Sequence, residues 1–277
     1  MQFSSKASGT LLEILQLQYP DSSKTTLRSW IQEGRVGVDG SPCKRANFPV
    51  AQGQQISFSP KKQLAGNLPI LYEDKHLVVV DKPAGMLSVA TAFEKGQTAH
   101  ALLKEKYQPR KVFVVHRLDQ ETSGVLLFAL SEKAYHILKN KFMIHEMERL
   151  YVGIVEGKMP PGSGSWHSYL HEDSAYFVHS SPDPQSGSLA VTHYRLLKSS
   201  RSFSQVEFQL ETGRKNQIRV HCQAAGHSIA GDKKYGAATN PLKRLCLHAH
   251  TLAFIHPITA EPMRFTSPPP ETFQKLL

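Results

Sequence analysis

The stretch VVHRLDQETSGVLLFAL, residues 114–130, decides the fold, because it sets a group of polar residues between two runs typical of buried strands. VFVV (112–115) and GVLLFAL (124–130) are apolar and rich in the residues that strands favour. A turn between strands needs only a few polar residues, yet this one has His, Arg, Asp, Glu, Thr and Ser in succession. An unpaired charge beside apolar strands costs several kcal/mol. These groups are therefore satisfied by each other, by water or by a ligand.

Two catalytic patterns in this segment are weak on spacing alone. Asp119 and Glu121 are a candidate carboxylate pair for glycoside hydrolysis, but no matching partner is recognisable elsewhere in the sequence. Ser123 and His116 suggest a hydrolytic triad, but no G-x-S-x-G turn surrounds the serine. A simple turn with an Asp cap is the structural alternative. The residues by themselves leave the chemistry of the segment open.

The composition favours a protein of the reduced cytoplasm with an anionic partner. The 277 residues allow about two domains, and 33 Lys and Arg against 23 Asp and Glu give a net charge of +10. Such an excess favours nucleic acid, although solvated lysines alone also produce it. Cys43, Cys222 and Cys246 are too scattered for a disulfide framework and contain no CxxC pair. The N-terminus has no apolar run long enough for a signal peptide or a membrane span.

Residues 1–60 predict a small α/β unit. LLEILQL (11–17) has helical spacing, TTLRSWIQE (25–33) predicts a second helix, and RVGVDGSPCKRA predicts a hairpin around Asp39-Gly40. This order of elements resembles the S4 domain, a small RNA-binding module, and the resemblance implies RNA contacts through Arg28 and Arg35. Other basic residues in the unit are Lys24, Lys44 and Arg45.

Residues 61–69 predict a linker, and strands predominate from residue 70 to the C-terminus. SEKAYHILKNKFMIHEMER (131–149) predicts a helix, KNQIRVHCQAAG (215–226) predicts a short one, and LCLHAHTLAFIHP (245–257) predicts a strand pair. Few helices separate the strands, which favours an α+β domain with a mostly antiparallel or mixed sheet over βαβ winding.

Five spaced motifs resemble those of the RluA-type family of RNA pseudouridine synthases. HRLDQETSG (116–124) matches the family signature His-Arg-Leu-Asp-x-x-Thr-Ser-Gly, and DKPAGMLS (81–88) matches the Lys-Pro-x-Gly element. RLYVGIVEG (149–157) matches the strand that carries the family tyrosine, with Arg149 where Lys is usual. LETGRKNQIRVHCQAAGHSIAGDKKYG (210–236) matches the Thr-Gly-Arg block, and RLCLHAHTLAFIHP (244–257) the closing strand. The resemblance implies a pseudouridine synthase domain over residues 70–277 behind the S4-like unit.

The resemblance assigns roles to four residues. Asp119 is the essential carboxylate, as nucleophile or as base, and Arg219 is the arginine that pairs with it. Tyr151 is the tyrosine that accepts the C5 proton or stacks on the base. Arg117 inserts where the target base was, because a base must leave its stack before C1′ is reachable. Further substrate or RNA contacts are expected at His116, Lys82, Arg214 and Gln217, and phosphate contacts also at Lys215, Lys233 and Lys234.

Asn216 departs from the family pattern, which has His at this position. We expect this change to affect a local RNA or loop contact more than the chemistry. The isomerisation needs no cofactor, and His248, His250 and His256 do not have the arrangement of a tetrahedral zinc site.

The sequence therefore predicts a monomeric RNA pseudouridine synthase, an isomerase that acts on ribosomal or transfer RNA. One alternative is an RNA-binding or assembly protein without catalysis on the same scaffold. Another is a nucleoside or glycoside hydrolase, which would release free uracil.

Overall fold

The structure, a computed structural model, describes residues 2–20, 22–32, 34–58, 68–90 and 97–277. The described residues divide into two compact units, one over 2–58 and the other over 68–90 and 97–277. The predicted linker lies outside the described residues except for its last two positions. No helix in the described part of the chain is long and apolar enough to cross a membrane.

The N-terminal unit packs two helices against short strands. Its strands are β1 (Gln2–Ser4), β2 (Gly9–Thr10), β3 (Val36–Val38), β4 (Ser41–Pro42), β5 (Pro49–Val50) and β6 (Gln55–Phe58), and its helices are α1 (Leu11–Gln18) and α2 (Lys24–Gln32). Thr10 and Glu13 form a reciprocal capping box at the start of α1. Asp39 and Gly40 both have positive φ, as a two-residue hairpin turn requires. The predicted helices and hairpin are confirmed.

The C-terminal unit is built on one sheet. Its strands are β7 (Ile70–Glu73), β8 (Leu77–Lys82), β9 (Phe113–Val114), β10 (Ser123–Ala129), β11 (Glu148–Glu156), β12 (Ser163–Glu172), β13 (Val178–Ser181), β14 (Ser188–Ser199), β15 (Phe203–Leu210), β16 (Leu247–Ile255) and β17 (Pro262–Thr266). The order is β13-β12-β14-β15-β11-β16-β10-β8-β7, with β17 on β16 and β9 on β10. Among the described strand pairs of this sheet, β10 and β16 run parallel and the others antiparallel. The α+β prediction is confirmed.

The helices of this unit are α3 (Ala99–Lys106), α4 (Glu132–Met143) and α5 (Gln217–Ala224). Strand β10 is buried along its whole length, because Val125, Leu127 and Ala129 pack towards α4 and Leu126 and Phe128 pack towards α3. This double burial accounts for the continuous apolar run after the polar segment.

Two sequence predictions need correction. Helix α4 ends at Met143 rather than at residue 149: His145 takes φ +63 and the Glu146 N–H donates to the Lys141 carbonyl, which closes the helix in a Schellman motif. The stretch LCLHAHTLAFIHP is one strand, β16, and its antiparallel neighbour β17 follows it in the chain. Strands β12, β13 and β14 were not predicted, since few of their residues are buried and their apolar pattern is weak.

Candidate active site

Residues 116–122 of the polar segment form the loop between β9 and β10, and the DKPAGMLS segment holds the backbone of this loop. Ser88 Oγ donates to the Leu118 carbonyl at 2.8 Å and accepts from the Leu118 N–H at 3.0 Å. The Gly85 N–H donates to the Gln120 carbonyl at 2.8 Å, and the Gln120 side chain donates back to the Gly85 carbonyl at 3.1 Å. Leu118 is buried, so the loop is anchored on both sides of Asp119.

Lys82 forms part of this anchor and does not reach the surface. Its side chain is fully buried, and Nζ donates to the carbonyls of Pro83, Met86 and Gln120 at 3.0, 2.7 and 3.0 Å. Burial lowers the pKa of Lys82 to about 7, but only the protonated amine has three N–H groups for three carbonyls. A direct phosphate contact requires an exposed ammonium, so the predicted phosphate contact of Lys82 is corrected. Lys82 instead links the 83–86 loop to the loop that carries Asp119.

Gly124 is required where the loop enters β10. Its φ is +112, and a Cβ at this position would lie 2.1 Å from the Ala249 carbonyl oxygen on the parallel strand β16. No residue with a side chain fits this approach without moving the strand. The glycine of the signature is therefore a requirement of the close pairing between β10 and β16.

The structure does not form the suggested Ser123–His116 pair. Ser123 Oγ donates to His248 Nδ1 at 2.8 Å and accepts from Arg244 Nη2 at 2.8 Å, while His248 Nε2 donates to the Ser267 carbonyl. His116 Nε2 accepts the Leu127 N–H at 3.0 Å, and burial lowers the pKa of His116 to about 3. Both groups thus brace the loop, and the triad interpretation is wrong.

Asp119 receives two hydrogen bonds on one carboxylate oxygen. Asn216 Nδ2 donates to Asp119 Oδ2 at 2.6 Å, and Arg219 Nη1 donates to the same oxygen at 3.1 Å. Oδ1 accepts no hydrogen bond from the described residues. The Asp119 side chain is 30% exposed, so water or a ligand reaches it. The predicted contact between Asp119 and Arg219 is present.

Arg219 is held by a second carboxylate. Its Nε and Nη2 donate to the two oxygens of Asp232 at 2.7 and 2.8 Å, and its guanidinium lies 4.8 Å from the ring centre of Tyr235. Burial opposes the charge of Arg219, but the hydrogen bonds and charges of Asp232 and Asp119 raise its pKa overall. Arg219 is therefore a permanent cation, fixed in position behind Asp119.

A cleft opens in front of Asp119, and Arg117 and Tyr151 line it. Arg117 is exposed and forms no hydrogen bond with the described residues. Burial raises the pKa of Tyr151 to about 12, so its phenol is neutral. The other lining residues are Leu118, Thr122, Leu210, Gly213, Arg214, Asn216, Gln217, Ile218, Arg219 and Leu247.

The remaining predicted RNA contacts differ in how far their side chains are exposed. Gln217 is buried and lines the cleft. Its amide forms hydrogen bonds with Thr212, Thr192 and the backbone at Val191 and Arg214, so it shapes the turn before α5. The basic residues with exposed side chains are Arg28, Arg214, Lys215, Lys233 and Lys234. Arg35 is half-buried over the rings of Trp30 and Phe58. Glu121 is exposed.

The structure adds groups that sequence reasoning missed. Ser88, Asp232 and Tyr235 all support the Asp119 loop or its arginine, and they lie inside motifs whose other residues were assigned. We expected the change at Asn216 to affect a local RNA or loop contact. The structure instead shows the Asn216 side chain in contact with Asp119 itself. The three histidines of the zinc alternative have separate tasks: His248 and His250 both donate to the Ser267 carbonyl, and His256 donates to Asp74.

Comparison with known proteins identifies the family. The RNA pseudouridylate synthase family model matches residues 76–224, and the S4 domain model matches residues 11–56. The chain belongs to the RNA pseudouridine synthase family. It is an isomerase with an N-terminal RNA-binding S4 domain.

Relatives align along almost the whole chain. An uncharacterised RNA pseudouridine synthase of Synechocystis is 34% identical over 94% of this chain and 85% of its own length. The ribosomal large subunit pseudouridine synthase D of Xanthomonas campestris is 33% identical, over 95% of this chain and 86% of its own. The solved structure of human RNA pseudouridylate synthase domain containing 4 has the same fold, with a TM-score of 0.60, 23% identity, and coverage of 74% of this chain and 90% of that one.

Proposed function

We propose that this pseudouridine synthase isomerises specific uridines of structured RNA with Asp119 as its essential carboxylate. One observation carries the proposal: Asp119 Oδ2 is fixed by Asn216 and Arg219, while Oδ1 has no donor among the described residues, in a cleft that Arg117 and Tyr151 also line. A carboxylate with one oxygen anchored presents the other to a ligand.

The reaction exchanges one bond for another. The N1–C1′ bond of the uridine breaks, the uracil turns, and a C5–C1′ bond forms. The proton on C5 leaves and N1 gains one, so the product has the same mass and no electrons are transferred. Asp119 acts at C1′, as nucleophile or as base, and Arg219 donates a hydrogen bond to its Oδ2.

Arg117 fills the space of the flipped base. The target base must leave its stack, and the gap it leaves exposes the faces of neighbouring bases. The guanidinium of Arg117 is exposed beside Asp119, and its planar shape suits stacking on those faces.

Tyr151 supports the base inside the cleft. Its pKa of about 12 keeps the phenol protonated at neutral pH. A protonated phenol is a poor proton acceptor, which favours the stacking role over removal of the C5 proton.

Ribosomal RNA is the proposed substrate, and transfer RNA is the alternative. The S4 domain supplies an RNA-binding unit, and two relatives at 30% and 33% identity are named ribosomal large subunit pseudouridine synthases. The enzyme is proposed to act as a monomer, which sedimentation with and without RNA tests.

Chemical mapping of pseudouridine tests the proposal directly. Ribosomal and transfer RNA are compared from cells with the protein, without it, and with only the Asp119→Asn variant. We expect specific ribosomal sites to be lost in the last two. Loss confined to transfer RNA would overturn the ribosomal assignment, and unchanged maps would favour the RNA-binding protein without catalysis. Release of free uracil by the purified protein would favour the hydrolase.

A further inference from the structure

We propose that Asn216 is a positioning residue for the Asp119 carboxylate, and that Tyr235 acts through Asn216. This inference rests on the proposed function, since it concerns how the reactive oxygen of Asp119 is presented to the uridine. It gives a task to the position at which this chain departs from the family pattern.

Asn216 stands at the N-cap position of α5, but its side chain does not cap the helix. Asn216 is the residue before α5 and has left-handed angles, φ 55 and ψ 18, with no side-chain bond to the helix. An Asn at this position ordinarily accepts an N–H from the first turn. Among residues with a side chain, Asn, Asp and His adopt left-handed angles most readily. Its amide is instead directed to Asp119.

A hydrogen bond from Tyr235 holds the side-chain amide of Asn216 in place. Tyr235 Oη donates to Asn216 Oδ1 at 3.2 Å, and the Val178 N–H donates to Tyr235 Oη at 3.3 Å. The Tyr235 bond occupies Oδ1, so the NH₂ group of Asn216 faces Asp119. Tyr235 is fully buried and Asn216 is 9% exposed, so water competes little for these bonds. A hydrogen-bonded chain therefore runs from β13 to the carboxylate.

Asn216 orients Asp119 more directly than Arg219 does. The Asn216–Asp119 bond measures 2.6 Å, whereas Arg219 lies 3.1 Å from Asp119 and is held more closely by Asp232 at 2.7 and 2.8 Å. Arg219 supplies charge, and its geometry is set by Asp232. The other charged side chains around Asp119 are Arg117 and Arg214, which line the same cleft, and Lys82 and Lys234, whose charges interact with its carboxylate. Because Asn216 holds Asp119 by Oδ2, the other carboxylate oxygen, Oδ1, faces the ligand.

Two substitutions that tolerate left-handed angles test the proposal, Asn216→Asp and Asn216→Gly. Asn216→Gly removes the donor, and we expect the single-turnover rate on bound RNA to fall about 10-fold, the effect of one hydrogen bond to a charged group. Asn216→Asp replaces the donor with a carboxylate, and we expect a fall of about 100-fold at pH 7, since two adjacent carboxylates do not both ionise. The acidic limb of its pH–rate profile moves to higher pH, which a purely structural defect would not produce. The Kd for RNA stays within about threefold for both.

A double-mutant cycle tests whether Tyr235 acts through Asn216. Tyr235→Phe alone is expected to slow the bound-RNA rate about 3-fold to 10-fold, and to have no further effect in the Asn216→Gly background. Asn140→Ala, an exposed asparagine on α4, is the matched control and keeps the wild-type rate. Thermal melting accompanies each variant, and the near-isosteric Asn216→Asp carries the test if Asn216→Gly does not fold.

Three results overturn the inference: a wild-type rate for Asn216→Gly, independent effects in the cycle, or a loss of RNA affinity with an unchanged rate on bound RNA. The last result would make Asn216 an RNA contact. A wild-type protein that forms no pseudouridine would instead overturn the proposed function, so the two failures are distinguishable.

Discussion

At the scale of single residues, two glycines with similar φ show what the close contact between β10 and β16 requires. Gly124 has φ +112 and Gly162 has φ +108, both outside the range comfortable for other residues. A Cβ on Gly124 would lie 2.1 Å from the Ala249 carbonyl oxygen, whereas a Cβ on Gly162 would meet nothing within 4 Å. The two positions therefore separate dihedral strain from steric exclusion.

We expect Gly124→Ala to destabilise the protein much more than Gly162→Ala. The control variant has only dihedral strain, about 1 to 3 kcal/mol. Gly124→Ala must also force β10 and β16 apart beside Asp119, and we expect a total of several kcal/mol and loss of pseudouridine formation. Urea unfolding followed by circular dichroism measures both. Equal free energies of unfolding for the two variants would contradict the close strand approach.

Motifs identified the proposed catalytic residues, but not the task of every polar residue near them. Asp119 and Arg219 could be assigned because their residue types and spacing match a specific signature. Lys82 and Gln217 look like surface contacts in a sequence, because nothing local shows that carbonyls from two loops converge on one ammonium. The Asn216–Asp119 bond joins residues 97 positions apart, and no periodicity predicts such a pairing.

At the scale of elements, helix α5 carries Arg219 at the site, and His221 on the same helix holds it to the sheet by hydrogen bonds. The His221 side chain is buried between two hydroxyls, with Nε2 2.9 Å from Ser168 Oγ and Nδ1 2.9 Å from Thr192 Oγ1. Burial lowers the pKa of His221 to about 4. Strands β12 and β14, which were not predicted, supply these hydroxyls. In β12 only Leu170 is buried, and β14 buries only Ala190, Val191 and Thr192, so neither strand gives a strong apolar alternation in the sequence.

We expect His221 to make the protein sensitive to mild acid. Between pH 6.5 and pH 4 the unfolded chain binds a proton at this histidine and the folded chain does not, so the free energy of unfolding falls as the pH falls. The slope from one such group is at most about 1.4 kcal/mol per pH unit. His221→Gln removes that part of the slope, and urea unfolding at a series of pH values measures it. His136→Gln, at an exposed position on α4, is the control. Parallel profiles for wild type and His221→Gln would contradict the assignment.

Helix and hairpin signals in the N-terminal unit were predictable because they are local. A capping box, a glycine with positive φ and an Asp-Gly turn each act within a few residues. Helix α4 was predicted too long for the opposite reason. Its apolar spacing continues past Met143, but the chain must reverse there to place Arg149 and Tyr151 in β11.

At the scale of the whole molecule, a net charge of +10 and an S4 domain indicate that affinity for RNA is largely electrostatic. The exposed basic residues of the S4 domain include Arg28, Lys44 and Arg45. Contacts of this kind position the RNA and contribute to binding before the chemical step. Their removal should change the affinity and not the rate on bound RNA.

We expect the triple variant Arg28→Ala, Lys44→Ala, Arg45→Ala to raise the Kd for RNA while the single-turnover rate at saturation stays within about twofold. The slope of log affinity against log salt should decrease by about 0.7 to 0.9 for each phosphate that the variant no longer neutralises. A matched variant with Lys104, Lys133 and Lys139 changed to Ala removes the same charge from exposed positions on α3 and α4. Equal decreases of affinity in both variants would contradict a specific role for the S4 domain.

Asp119 is proposed to perform the chemistry, and the single-turnover rate of the Asp119→Asn variant tests this role. The Asn side chain keeps the shape and an acceptor oxygen for Asn216 and Arg219, so we expect unchanged melting and an RNA Kd within about threefold of wild type. Removal of a reacting group should lower the rate of pseudouridine formation by more than about 10³-fold. Turnover within tenfold of wild type would show that Asp119 is not the essential carboxylate.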